Sequence, residues 1–139
     1  MNDRWEHFEH GADIGVRGRG ATKAGAFEQA ALALTAVIAD PASVEPLDSV
    51  EIACEADDDE QLLVGWLDAL LYEMAVRHML FSRFRVAIDG LRLRATAVGE
   101  ALSVARHRPA VEVKGATFTT LRVGQEADGS WTAQTVVDV

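Results

Sequence analysis

The stretch His10-Gly11-Ala12-Asp13-Ile14-Gly15, inside Trp5–Gly20, decides how the chain is organised. It sets a carboxylate between two runs: the loosely alternating Trp5–His10, and Ile14–Arg19, where Ile14 and Val16 share a face. Both read as short strands, so the chain is predicted to open with a strand pair. Gly15, Gly18 and Gly20 follow the acid closely and let the backbone bend or be approached by a neighbour. An aspartate at such a junction either caps a turn or holds a cation or a partner's basic group.

Outward from this hairpin, Thr22 is a fair N-cap for a helix over Lys23–Ala39, with Phe27, Ala30, Ala31, Leu34, Val37 and Ile38 at helical spacing. Asp40-Pro41 stops it, because the residue before proline avoids the helical region. Val44–Leu47 is a connector, and Ser49–Ala56 alternates as a strand should. Asp57-Asp58-Asp59-Glu60 lacks the spacing and central glycine of a calcium loop. It reads instead as an N-cap and acidic first turn, favourable to the dipole of a helix over about Glu60–Met79. That helix carries Leu62, Leu63, Trp66, Leu67, Leu70, Leu71 and Met74 on a broad apolar face. His78 near its end favours the helix C-terminus. Ser82–Ile88 and Leu91–Val98 form a hairpin across Asp89-Gly90. After a polar link at Ser103–Pro109, two last strands are predicted, about Ala110–Val123 and Ser130–Val139. The order ββαβαββββ defines an α+β fold, a mainly antiparallel sheet with two helices against it.

The 139 residues are expected to form one domain, 1–139. No apolar run is long enough to span a membrane, and no signal segment opens the chain. The single cysteine, Cys54, alternates with Val50 and Ile52 and reads as a buried small hydrophobe. With no second cysteine to pair with it, a cytoplasmic protein is expected. A net charge of −9 argues against stable, direct nucleic-acid binding. The charge is uneven: residues 1–76 hold 4 basic and 16 acidic side chains, whereas residues 77–139 hold 9 basic and 6 acidic. Most of the second group are arginines, a pattern that steers a protein partner or simply faces solvent.

No phosphate-cradling glycine loop, paired-cysteine zinc motif, HExxH or nucleophile elbow is present, and the four histidines are scattered. A free-standing enzyme is therefore the weaker reading. Asp138-Val139 closes the sequence after the apolar Thr135-Val136-Val137. Were that end to lie beside Asp13, two carboxylates and main-chain oxygens would converge into a hard-oxygen site for calcium or magnesium. Alternatively Asp138 stands in water at a frayed end. Lys114, on the alternating Val111–Thr117 segment, reads as an outward edge residue.

Taken together, the chain resembles the archease family over essentially its whole length. The resemblance is carried by Phe8-Glu9-His10-Gly11-Ala12-Asp13-Ile14-Gly15, the Ala26–Leu34 helix, and Leu62–Tyr72 with Trp66-Leu67. Leu93–Glu100, Glu112-Val113-Lys114-Gly115-Ala116-Thr117 and the closing Val137-Asp138-Val139 complete it. The resemblance implies an accessory protein, not an enzyme. Such a protein activates the RNA ligase that seals 2′,3′-cyclic-phosphate or 3′-phosphate ends to 5′-hydroxyl ends in tRNA splicing and RNA repair. It promotes ligase guanylylation and repeated turnover. By the same resemblance Asp13, Asp138 and the main-chain oxygen of Val139 hold a divalent cation, calcium foremost with magnesium or manganese as alternatives. Lys114 serves partner activation. The family usually carries threonine at the position of Gly11 and alanine at Gly115, so the turn and strand beside the site are expected to be looser here. It carries tyrosine-histidine at Phe118-Thr119, and Phe118 lacks that hydroxyl. Other readings are a general folding chaperone and a metal-dependent hydrolase.

Overall fold

The computed structural model describes residues 2–139. Eight strands and three helices follow in order: β1 (Arg4–His10), β2 (Asp13–Gly20), α1 (Lys23–Ile38), β3 (Asp48–Glu55), α2 (Asp59–Arg77), β4 (Met79–Asp89), β5 (Arg92–Ala101), α3 (Val104–His107), β6 (Gly115–Ala116), β7 (Arg122–Gln125) and β8 (Trp131–Asp138). The α+β class and the antiparallel pairing are as the sequence predicts. The strands, however, divide into two sheets. One runs β1-β2-β8-β6 with β7 also on β8, and the other runs β3-β5-β4.

Local chemistry accounts for the helix boundaries. Thr22 accepts a hydrogen bond from the Gly25 amide at 3.0 Å, and Asp58 accepts one from Gln61 at 2.7 Å. Asp59 and Glu60 occupy the first turn of α2 and Arg77 its last, matching the helix dipole at both ends. His78 is the left-handed C-cap, its amide returning to the Met74 carbonyl.

Helices and sheets share a core in which Phe27, Leu34, Leu62, Leu63, Trp66, Leu67, Leu70 and Phe81 are fully buried. The Trp66 indole donates to the Phe27 carbonyl at 3.0 Å, tying α2 to α1. α1 lies so close to β2 that a Cβ at Gly18 would fall 2.1 Å from the Ala26 carbonyl oxygen. In β4 a bulge lies between Phe81 and Arg83. It changes the parity of the strand, so that both Phe81 and Phe84 face the core while Arg83 and Arg85 share the outer face.

Two expectations need correction. Ala110–Val123 is not one strand: residues 110–114 run without strand pairing, β6 spans two residues, and Thr120 takes a left-handed backbone before β7. The alternation is there, but β8 can pair with only one stretch at each rung, and the segment is bent to supply two. The Ser103–Pro109 link is likewise no plain loop, since it holds α3 and the buried His107. The His107 Nδ1 accepts from the Ser103 amide at 2.9 Å, leaving Nε2 to donate to Glu100 at 3.0 Å. Arg106 grips both oxygens of the buried Glu100 carboxylate at 2.9 and 2.7 Å, and the Glu45 amide donates to it at 2.7 Å. Led by the Arg106 hydrogen bonds, these contacts hold the Glu100 carboxyl down to about 2.

Candidate functional site

The β1–β2 turn at Gly11-Ala12 starts the site. Gly11 has a φ of +59° and empty space around its absent side chain. The glycine supplies the left-handed residue that a two-residue hairpin needs, so here it fits a tight turn rather than loosening one. The turn leaves His10 paired with Asp13 across the strands.

β2 then pairs with β8 from Ile14 opposite Val137 to Gly20 opposite Trp131. One residue further in the same register, Asp13 stands opposite Asp138. The Val139 amide points to Asp13 Oδ1 at 3.4 Å, a long hydrogen bond between residues 126 apart in sequence. On the other side of β8, Gly115 pairs with Asp138, and the Lys114 amide donates to the Asp138 carbonyl at 2.7 Å. Asp13, Asp138, Val139 and Lys114 therefore meet at one end of the first sheet.

The four residues do not meet in the same way. Asp13 and Val139 are partly buried, while Asp138 and Lys114 are exposed. Lys114 joins through its backbone, and its ammonium forms no ion pair among the described residues. Asp13 and Asp138 also have no basic partner there. The arginines farther along the same face are engaged elsewhere: Arg17 and Arg19 both bond Glu6, at 3.2 and 3.0 Å, and Arg17 also bonds Gln134 at 2.8 Å. Burial opposes it, but the hydrogen bonds from Arg19 and Arg17 keep the Glu6 carboxyl below its ordinary value. Arg17 and Arg19 are spent on Glu6, so neither pairs with Asp13 or Asp138 at the sheet end.

Among the described residues no three His, Cys, Asp or Glu side chains converge enough to hold a metal ion by themselves. The edge offers two carboxylates, and Val139, whose amide reaches Asp13, brings its main chain to the same place. Calcium takes six to eight oxygen ligands, so this donor set fits a hard cation whose shell is completed by water or by another molecule. Asp68, unremarked in the sequence, braces the arrangement from α2 by accepting from the Ala116 amide at 2.9 Å. Its only sequence signal is an acid between apolar neighbours on a half-buried helix. Burial pushes the Cys54 thiol up, the opposite of an activated nucleophile. No helix among the described residues is long and apolar enough to cross a membrane.

Fold and edge together define an α+β protein whose acidic site lies open at the end of a sheet. The model of the Archease protein family matches residues 5–139, and the chain belongs to that family. It is 44% identical to protein archease of Thermococcus gammatolerans, with 98% of this chain and 99% of the relative covered. Protein archease of Pyrococcus furiosus is 41% identical at the same coverage. The solution structure of protein 1598 from Methanobacterium thermoautotrophicum superposes with a TM-score of 0.85 at 34% identity, covering 97% of this chain and 98% of that one. A Thermotoga maritima crystal structure, described as an archease and possible chaperone, has a TM-score of 0.63 at 17% identity over 95% and 94% of the two chains, and so shares the fold.

Proposed function

We propose that this chain is a cytoplasmic accessory protein that activates the RNA ligase of the tRNA-splicing type, promoting its guanylylation and multiple turnover. The reading is supported by one observation above all: in a chain that belongs to the archease family, acids at positions 13 and 138 come to facing ends of adjacent strands. Asp13, Asp138 and the Val139 main-chain oxygen would hold a divalent cation, with calcium favoured over magnesium or manganese because the all-oxygen set is open and leaves room for the larger shell calcium takes. When bound, the ion supplies a positive centre for phosphate or carboxylate oxygens. The protein's own part is positional: the β2–β8 pairing fixes both acids on a rigid sheet, and Lys114 adds a cation one strand away. The two acids are an incomplete coordination shell, which suits an ion shared with the ligase. The covalent chemistry belongs to the ligase.

The test is ligase guanylylation by GTP in the presence of this protein and of Asp13→Asn, Asp138→Asn and Lys114→Gln. Stimulation should fall at least tenfold with each aspartate variant while the thermal midpoint stays within a few degrees. Undiminished stimulation by both variants overturns the reading. The name of the Thermotoga protein favours a second reading, a general chaperone. It predicts suppressed aggregation of unrelated proteins, indifferent to Asp13. RNA or nucleotide turnover by this protein alone would point to a metal-dependent hydrolase.

A further inference from the structure

The second sheet has a face that the helices leave open. Alternation turns Val50, Ile52, Leu93, Ala95, Ala97 and Val86 into the core. The same alternation sends Arg83, Arg85 and Arg94 outward, and all three are exposed. Of the other five arginines of the second half four are paired: Arg77 with Glu73, Arg92 with Glu55, Arg106 with Glu100 and Arg122 with Glu126. The fifth, Arg108, caps α3 away from this sheet. Arg83, Arg85 and Arg94 have no carboxylate in ion-pair range among the described residues. A chain of net charge −9 thus gathers three free guanidinium groups on one face.

The register fixes their spacing. Arg85 lies opposite Thr96 and Arg94 opposite Ala87, so Arg94 is the diagonal neighbour of Arg85, about 7–8 Å away. Arg83 and Arg85 are two residues apart on one strand, about 7 Å. That interval is close to the separation of successive phosphates along a nucleic-acid strand. Small side chains, Ala53, Ala87 and Thr96, keep the ground between them low. A groove of about 530 Å³ runs beside them, lined by Arg83, Arg85, Thr96, Val98, Gln29 and Pro46. Glu28 borders it too, but its carboxylate is occupied by the Val86 amide at 2.8 Å.

The face also indicates which anion it suits. Arginine forks match carboxylate and phosphate alike. A protein partner needs a desolvated apolar or aromatic anchor at the centre of its interface. The exposed large apolar residues stand off this face, with Leu47 and Leu91 in connections beyond the strand ends. Phe84 lines the groove as well, but its ring packs against the core and is half-buried. No aromatic therefore stands out from the face as a platform for stacking bases, and recognition falls to the backbone and is blind to sequence.

We propose that the outer face of β3-β5-β4, centred on Arg83, Arg85 and Arg94, takes the phosphate backbone of a single RNA strand. That the strand is RNA rests on the role proposed above. The contact is weak by itself, because Glu51, Glu55 and Asp89 border the face and the rest of the molecule repels polyanions. It acts by confining a strand already brought close.

The experiment is fluorescence anisotropy of a labelled 15-nucleotide oligouridylate across 20–200 mM salt. The proteins compared are wild type, the triple variant R83Q/R85Q/R94Q, and R122Q as a control for loss of a paired arginine. Three phosphate contacts to a single strand predict a log K against log salt slope of about −2 for the wild type. The triple variant should bind at least tenfold more weakly at 20 mM with a slope near zero, and R122Q should match the wild type. Absence of wild-type binding at 20 mM, or equal binding by the triple variant, overturns the proposal. So does poly-glutamate of matched charge displacing the RNA at lower concentration, which would assign the face to an acidic protein. Guanylylation of the ligase without RNA should be stimulated equally by the triple variant, so failure here and failure at Asp13 are told apart.

Discussion

Two glycine-to-alanine substitutions should move stability in opposite directions, and the difference tests how α1 is seated. At Gly18 an added Cβ would lie 2.1 Å from the Ala26 carbonyl oxygen and 2.3 Å from the Ala30 nitrogen. Both are backbone atoms of a helix, so neither can rotate away as a side-chain tip would. Ordinary contact requires α1 to lift by about 1 Å, loosening Phe27, Ala30 and Leu34, all fully buried now. Overpacking of this kind costs roughly 1–3 kcal/mol, and a rigid backbone obstacle puts Gly18→Ala at the upper end. Gly65 lies inside α2 with nothing within 4 Å of the position its Cβ would take. There Gly65→Ala gains helix propensity and should stabilise by about 0.5–1 kcal/mol. Urea unfolding followed by circular dichroism gives both values, and at this chain length a 3 kcal/mol loss lowers the thermal midpoint by on the order of 10 °C. If Gly18→Ala falls within about 0.5 kcal/mol of wild type, the close approach of α1 to β2 is wrong.

Three further outcomes are expected. The Glu100 carboxyl is held down to about 2 in the folded protein, below its unfolded value, so its contribution is present above the unfolded pKa and lost as pH falls through that value towards 2. An acid titration of stability should therefore be flatter between about pH 4.5 and 2 for Glu100→Gln, which also starts from a lower plateau. Thr35→Val removes the buried hydroxyl that donates to the Phe81 carbonyl at 2.8 Å beside the bulge, and chemical denaturation should register a loss of roughly 1–3 kcal/mol. Gly11→Thr places a β-branched residue at a φ of +59° and should destabilise by about 1–2 kcal/mol, whereas Gly11→Asn should be tolerated better by thermal melts.

Much of this fold can be read locally. Thr22 and Asp58 mark helix starts through their side-chain oxygens, and Pro41 marks a helix end through its ring. The β4–β5 hairpin, however, turns through Gly90-Leu91, with Gly90 at a φ of +62°. That is one residue later than the predicted Asp89-Gly90, because Asp89 pairs with Arg92. Division into two sheets cannot be read that way. A period-two pattern says which residues face inward, and says nothing about which strand lies alongside. The same blindness hid the broken 110–123 segment, where the alternation is sound but the pairing partner is shared. His107 was hidden for a different reason: its burial depends on Glu100 and Arg106 closing around it, a tertiary event with no periodicity. At the sheet end, Asp13 stood out as an acid between two strands and Asp138 as an acid after an apolar run. Their proximity follows from a register set by β2 and β8 as a whole, whereas the bracing by Asp68 comes from a helix with no strand-like signal.

The last strand of the sequence, β8, is hydrogen-bonded to β2 on one flank and to β6 and β7 on the other. A ribosome releases residues in order, so β1 and β2 emerge early and wait, with one edge of β2 unsatisfied, for a partner more than a hundred residues later. The paired acids thus exist only after synthesis has passed residue 138. A product interrupted before β8 would lack the ion-binding end and would carry a bare strand edge, marking it for aggregation or proteolysis rather than leaving a half-active protein in circulation.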